Sequence, residues 1–215
     1  MVEIIPAILT NDIREIEEKL SRAEGIVKRI QIDIVDGQFA ANRTIDPSFL
    51  ENIETDLNLD FHLMTKDPLS WVERVVRGGA DRIIGQIEGM TDQVEFIGKL
   101  AQVGLSVGLA IDLGTAVSAL DPTIITNLDV VLVMAVKAGF EGQKFDLSAL
   151  LKVNELDKIR VRDDTPFKIC VDGGINEDNI KKVVKAGADE VVIGSRIFDG
   201  DLTENIRRFQ EAAHG

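Results

Sequence analysis

A closed (β/α)8 TIM barrel, one domain over residues 1–215, is the fold this sequence predicts, and three observations predict it. Short β-branched runs alternate strictly with stretches of helical periodicity, eight times in 215 residues. Strict alternation calls for a parallel sheet, and eight units in roughly 200–250 residues suit a sheet that closes on itself. Gly78-Gly79-Ala80-Asp81 and Ala186-Gly187-Ala188-Asp189 each precede an aliphatic strand, an approximate internal repeat. The rival, an open doubly wound sheet, would carry G-x-G-x-x-G in its first βα turn, and this chain does not.

The elements follow in order. The first strand, 3–9, contains Pro6, which suits an outer or irregular position. Thr10-Asn11-Asp12 caps a helix to about residue 24, with Ile13, Ile16 and Leu20 at helical spacing. Strand two spans 28–35. After the loop 37–45, Asp46-Pro47 opens a short helix with Phe49, Leu50 and Ile53 inward. Strand three is 57–64, and Lys66-Asp67-Pro68 starts a helix through 76 that Gly78-Gly79 stops. Strand four, 82–87, leads to a helix over 92–103; strand five, 105–111, leads to a short helix from Thr115 towards Leu120. Strand six, 130–136, precedes the loop 137–144 and a helix over 146–159. Strand seven, 167–171, is followed by a helix capped by Asn176 and ending near Gly187. Strand eight, 190–193, and a helix over 202–214 complete the pattern.

Composition narrows the function. Formal charge is −13 and no Lys/Arg cluster tracks a phosphate backbone, which argues against nucleic acid and anionic membranes as partners. No run is long enough to span a bilayer, and Met-Val-Glu-Ile-Ile-Pro lacks a basic region followed by an apolar one, so a soluble cytoplasmic protein is expected. Cys170 is the one cysteine, placed in an apolar strand as a small core residue. One cysteine and two histidines leave no structural zinc site of the usual type.

The strand Ile30-Gln31-Ile32-Asp33-Ile34-Val35, closed by Asp36-Gly37, organises the chemistry. Alternation sends the isoleucines to one face and Gln31, Asp33 and Val35 to the other. Asp60, His62 and Met64 share one face of strand three, and Cys170 and Asp172 one face of strand seven. Singly, each polar residue reads as a satisfied group near a strand end. Together, Asp33, His62 and Asp172 (with Met134 of strand six) would meet at the C-terminal mouth, where barrels of this kind place their sites. Two carboxylates there suit abstracting a proton on one face of a small molecule and returning one on the other. They suit a divalent metal equally well, with His62 beside them. Gly142, Gly173-Gly174 and Gly194-Ser195 follow strands six, seven and eight, where exposed backbone N–H groups would grip a phosphate.

Pro6-Ala7-Ile8-Leu9, Ile32 to Gly37, Asp60 to Met64, Gly139-Phe140-Glu141-Gly142-Gln143-Lys144-Phe145, Val171-Asp172-Gly173-Gly174-Ile175 and Gly194-Ser195 occur in order over nearly the whole chain. This set resembles the ribulose-phosphate 3-epimerase family. The resemblance implies a ribulose-phosphate-binding barrel that interconverts ribulose 5-phosphate and xylulose 5-phosphate through an enediolate. It implies Asp33 and Asp172 as acid/base pair and metal ligands, and His62 as a further ligand. Met64 and Met134 would line the reacting carbon; Gly142, Gly174, Gly194 and Ser195 would hold the phosphate. Zinc, iron, manganese or magnesium would be the cofactor, and a homo-oligomer the expected assembly. The family usually has His where this chain has Gln31, and often His near Gln38 and Gln86; Ala7, Val35 and Ala138 depart as well. Two alternatives stand beside the epimerase. One is a catalytically silent sugar-phosphate binder, motivated by Gln31 and Ala7. The other is a related lyase, disfavoured because Asp33-Ile34-Val35-Asp36 lacks the lysine of D-x-K-x-x-D.

Overall fold

The computed structural model describes all 215 residues. Eight strands form one closed parallel barrel in chain order: β1 (Glu3–Ile8), β2 (Arg29–Val35), β3 (Asn58–Met64), β4 (Arg82–Gln86), β5 (Ser106–Ile111), β6 (Val130–Met134), β7 (Lys168–Asp172) and β8 (Glu190–Ile193). The strands alternate as their sequences dictate. Ile30, Ile32, Ile34, Phe61, Leu63 and Val171 point outward beneath the helices, while Ile5, Ala7, Ile84, Leu132, Cys170 and Val192 fill the interior. Barrel closure corrects the expectation for Pro6, since the sheet has no outer strand. The β1 ladder to β8 ends at Pro6 and its ladder to β2 begins at Ala7, so the missing N–H falls where the pairing changes sides.

Six α-helices surround the barrel: α1 (Ile13–Ala23), α2 (Val72–Arg77), α3 (Gln93–Val103), α4 (Ala149–Asp163), α5 (Ile180–Ala186) and α6 (Leu202–His214). Short polar residues start several of them. Asp12, Asp92 and Asp201 accept from the amides of Arg14, Glu95 and Glu204 at 2.9, 2.9 and 2.8 Å. Two expected helices are absent. Between β2 and β3 there is a 3-10 turn, Pro47–Leu50, in which Leu50 is buried but Phe49 is 68% exposed rather than inward. Between β5 and β6 there are two such turns, Val117–Ala119 and Ile125–Asn127, separated by Pro122, which has no N–H to continue a helix. The helix expected from Lys66 divides into a 3-10 turn, Pro68–Trp71, and α2. Asn176 does not cap α5 directly; its side chain accepts from the amides of Asp178 and Asn179, and the helix begins at Ile180.

A buried ionic layer closes the N-terminal end of the barrel. Arg82 donates to Glu190 Oε2 at 2.8 Å and also bonds Asp60, which Arg29 meets from its other side; Lys168 Nζ lies 2.7 Å from Glu190 Oε1. With that end plugged, the open C-terminal end is left for a site.

Candidate active site

Register brings the predicted polar residues together. Asp33 pairs with His62 across β2 and β3, Met134 with Asp172 across β6 and β7, and Ala7 with Gln31 across β1 and β2. Asp33, Asp172, Met64 and Met134 line a cavity of about 950 Å³ at the barrel mouth. Gly142, Gly173, Gly174, Gly194 and Ser195 line its other side. The volume lies in the range of small-molecule sites. His62 and Gln31 are fully buried beneath the two aspartates.

Gln31 ties the two acids together. Its Nε2 donates to Asp33 Oδ1 and to Asp172 Oδ2, both at 2.8 Å. His62 Nδ1 stands 3.4 Å from Asp33 Oδ1 and 3.7 Å from Asp172 Oδ2, and it has no hydrogen-bond partner. Gln86 fixes which nitrogen carries the ring proton. Its amide oxygen accepts from His62 Nε2 at 3.3 Å, because its nitrogen then donates to Glu88 Oε2 at 2.7 Å and to the Ala110 carbonyl at 3.2 Å. A proton on Nε2 leaves a lone pair on Nδ1 aimed at two carboxylates.

Three donors repelling one another in a buried spot fit a cation. One ligand atom from each of Asp33, His62 and Asp172 lies within 4.8 Å of the others. Gln31 Oε1 is also buried without a partner, so a turn of that amide would offer a fourth ligand atom. Burial and then the Asp33 charge push the Asp172 carboxyl up to about 7.

The glycine loops approach one another closely. A Cβ on Gly174 would lie 2.4 Å from the Phe145 amide nitrogen, and its φ of +66° is left-handed, so glycine is required there twice over. Asn179 Nδ2 holds the Gly174 carbonyl at 2.9 Å. Gln143 Nε2 clasps the preceding loop by donating to the Lys137 and Phe140 carbonyls at 2.7 and 2.9 Å. The amides of Gly142, Gly174 and Gly194 have no acceptor within the protein.

All the residues expected at the site therefore meet at one place. Gln38 does not join them; it is exposed on the loop after β2. The support from Glu88 through Gln86 to His62 was not expected. Gln86 lies two residues beyond Ile84, the register partner of His62, so its place beside the imidazole becomes legible once β4 is seen beside β3. Glu141, within the glycine loop, also reaches the cavity.

Comparison with known proteins agrees with this geometry. The model of the ribulose-phosphate 3 epimerase family matches residues 3–198. The ribulose-phosphate 3-epimerase of Bacillus subtilis is 33% identical over 204 residues, covering 92% of this chain and 93% of that protein. The Aquifex aeolicus ribulose-phosphate 3-epimerase is 34% identical over 211 residues, covering 96% and 95%. Among solved structures, 3-hexulose-6-phosphate synthase from Salmonella typhimurium has a TM-score of 0.68 at 14% identity, covering 99% of this chain and 98% of that one. KGPDC from Streptococcus mutans has a TM-score of 0.70 at 10% identity, covering 99% and 97%. These two carry the fold alone, a TIM barrel. Matches that run almost end to end make this chain a member of the ribulose-phosphate 3-epimerase family, whose relatives are isomerases.

Proposed function

We propose that the cavity inverts C3 of a ketose phosphate, interconverting ribulose 5-phosphate and xylulose 5-phosphate, with Asp33 and Asp172 as the acid/base pair. The observation that carries this reading is the convergence of two carboxylates, from β2 and β7, on the floor of one cavity. One carboxylate removes the C3 proton to give an enediolate, and the other returns a proton to the opposite face. A carboxyl drawn up to about 7, as Asp172 is, can exchange a proton near neutral pH. Met64 and Met134 supply an apolar, polarisable wall beside the reacting carbon and keep water from it. The free amides at the glycine rim hold the phosphate and so fix C3 over the acids.

Asp33, His62 and Asp172, with the Gln31 amide, would hold a divalent cation, whether zinc, iron, manganese or magnesium. When bound, such an ion supplies Lewis-acid stabilisation of the negative charge that develops on the substrate oxygens. Gln86 and Glu88 keep the His62 lone pair aimed at that place.

Deuterium wash-in tests the proposal. Ribulose 5-phosphate incubated with the protein in D2O, with Mn2+, Zn2+ or Fe2+ added, is expected to gain deuterium at C3. Asp33→Asn and Asp172→Asn should each slow that exchange by roughly 10²–10⁴-fold. One observation favours a second reading: the Gln31 amide already bridges both carboxylates, as a cation would. A silent sugar-phosphate binder would show a raised melting temperature with ribulose 5-phosphate and no exchange above the buffer rate.

A further inference from the structure

The loop between β6 and α4 carries a carboxylate to the cavity that the chemistry above does not use. Glu141 lines the cavity together with Gly194 and Ser195, and its Oε1 lies 3.4 Å from where a Cβ on Gly194 would stand. Burial holds the Glu141 carboxyl above its ordinary pKa, against the downward pull of the neighbouring Ser195 hydroxyl and amide. An acid thus stands among backbone donors suited to an anion. The loop can release it without unfolding. Gln143 closes the clasp through the Lys137 and Phe140 carbonyls, and Glu141 takes no part in it.

We infer that Glu141 competes with phosphate for the seat at Gly194 and Ser195, so that a phosphate enters as the Glu141 carboxylate swings out. Glu141 then sets the affinity of the seat for anions. Two like charges sharing one seat repel, and a departing carboxylate leaves behind the donors it had faced. The inference rests on the proposed phosphate grip at the glycine rim.

Calorimetric titration of inorganic phosphate into the full chain tests both together, using the wild type, Glu141→Gln and Glu141→Gly. Both variants are expected to bind phosphate about tenfold more tightly than the wild type, since the charge is gone from each. Equal affinity in all three overturns the competition and leaves the phosphate grip standing. Tightening in Glu141→Gly alone assigns the effect to side-chain bulk and overturns the charge competition. Binding by none of the three overturns the grip, and the inference falls with it.

Discussion

Gln31 is the residue on which the proposed metal binding turns. Its amide nitrogen holds Asp33 and Asp172 at 2.8 Å each, and its oxygen is buried without a partner. A cation must displace that bridge or be met by the turned amide, whereas a neutral imidazole would offer a lone pair directly. Gln31→His is therefore expected to tighten Zn2+ binding by at least about tenfold, read by competition with a chromophoric chelator. Unchanged affinity would mean that the other three residues make the site by themselves. Asp33, His62 and Asp172 were legible in the sequence because a period of two puts them on the inner face near the ends of their strands. The bridging role of Gln31 was not. It depends on barrel closure bringing residue 31 beside residue 172, and no local pattern encodes that approach.

Among the elements, the strands were more legible than the helices. Alternating β-branched residues mark a strand within four to seven positions, as the lengths of β8 and β2 illustrate. A helix needs more, and the segments around Pro47 and Pro122 bury too few residues to sustain one, so 3-10 turns take their place. The loops carry the proposed phosphate end of the site, and here glycine conformation decides. Gly174→Ala would place a Cβ 2.4 Å from the Phe145 nitrogen at a φ of +66°, forcing the loops after β6 and β7 apart. The expected result is a KM for ribulose 5-phosphate raised by roughly tenfold or more, with kcat reduced less, because the acids on β2 and β7 stay in place. A loss confined to kcat would mean that this contact positions the acids rather than the phosphate.

At the scale of the whole molecule, the barrel separates two kinds of buried charge. At the mouth no Lys or Arg pairs with Asp33 or Asp172, whereas the opposite end neutralises its own acids. There Arg82, buried at 3% exposure, joins Asp60 of β3 to Glu190 of β8 across the interior. Burial would push the Glu190 carboxyl up, but Arg82 and Lys168 outweigh it and hold the group below its ordinary value. A lowered folded pKa contributes stability that is present above the unfolded value and is lost as pH falls through the folded one. Arg82→Met removes that contribution and leaves Asp60 with Arg29 alone and Glu190 with Lys168 alone, at an expected cost of about 3–5 kcal/mol in urea denaturation at pH 8. The sign then reverses for Glu190, whereas burial already raises the Asp60 carboxyl to about 6 with both arginines present, and losing Arg82 raises it further. Without Arg82 their folded pKa values rise, and each costs stability as pH climbs through its raised value. The deficit of Arg82→Met should accordingly shrink between pH 8 and pH 5, as the two carboxyls take up protons. A deficit that stays constant over that range would place the loss in packing around the guanidinium stem, and the ionic layer would then be filler rather than the clamp that closes the barrel.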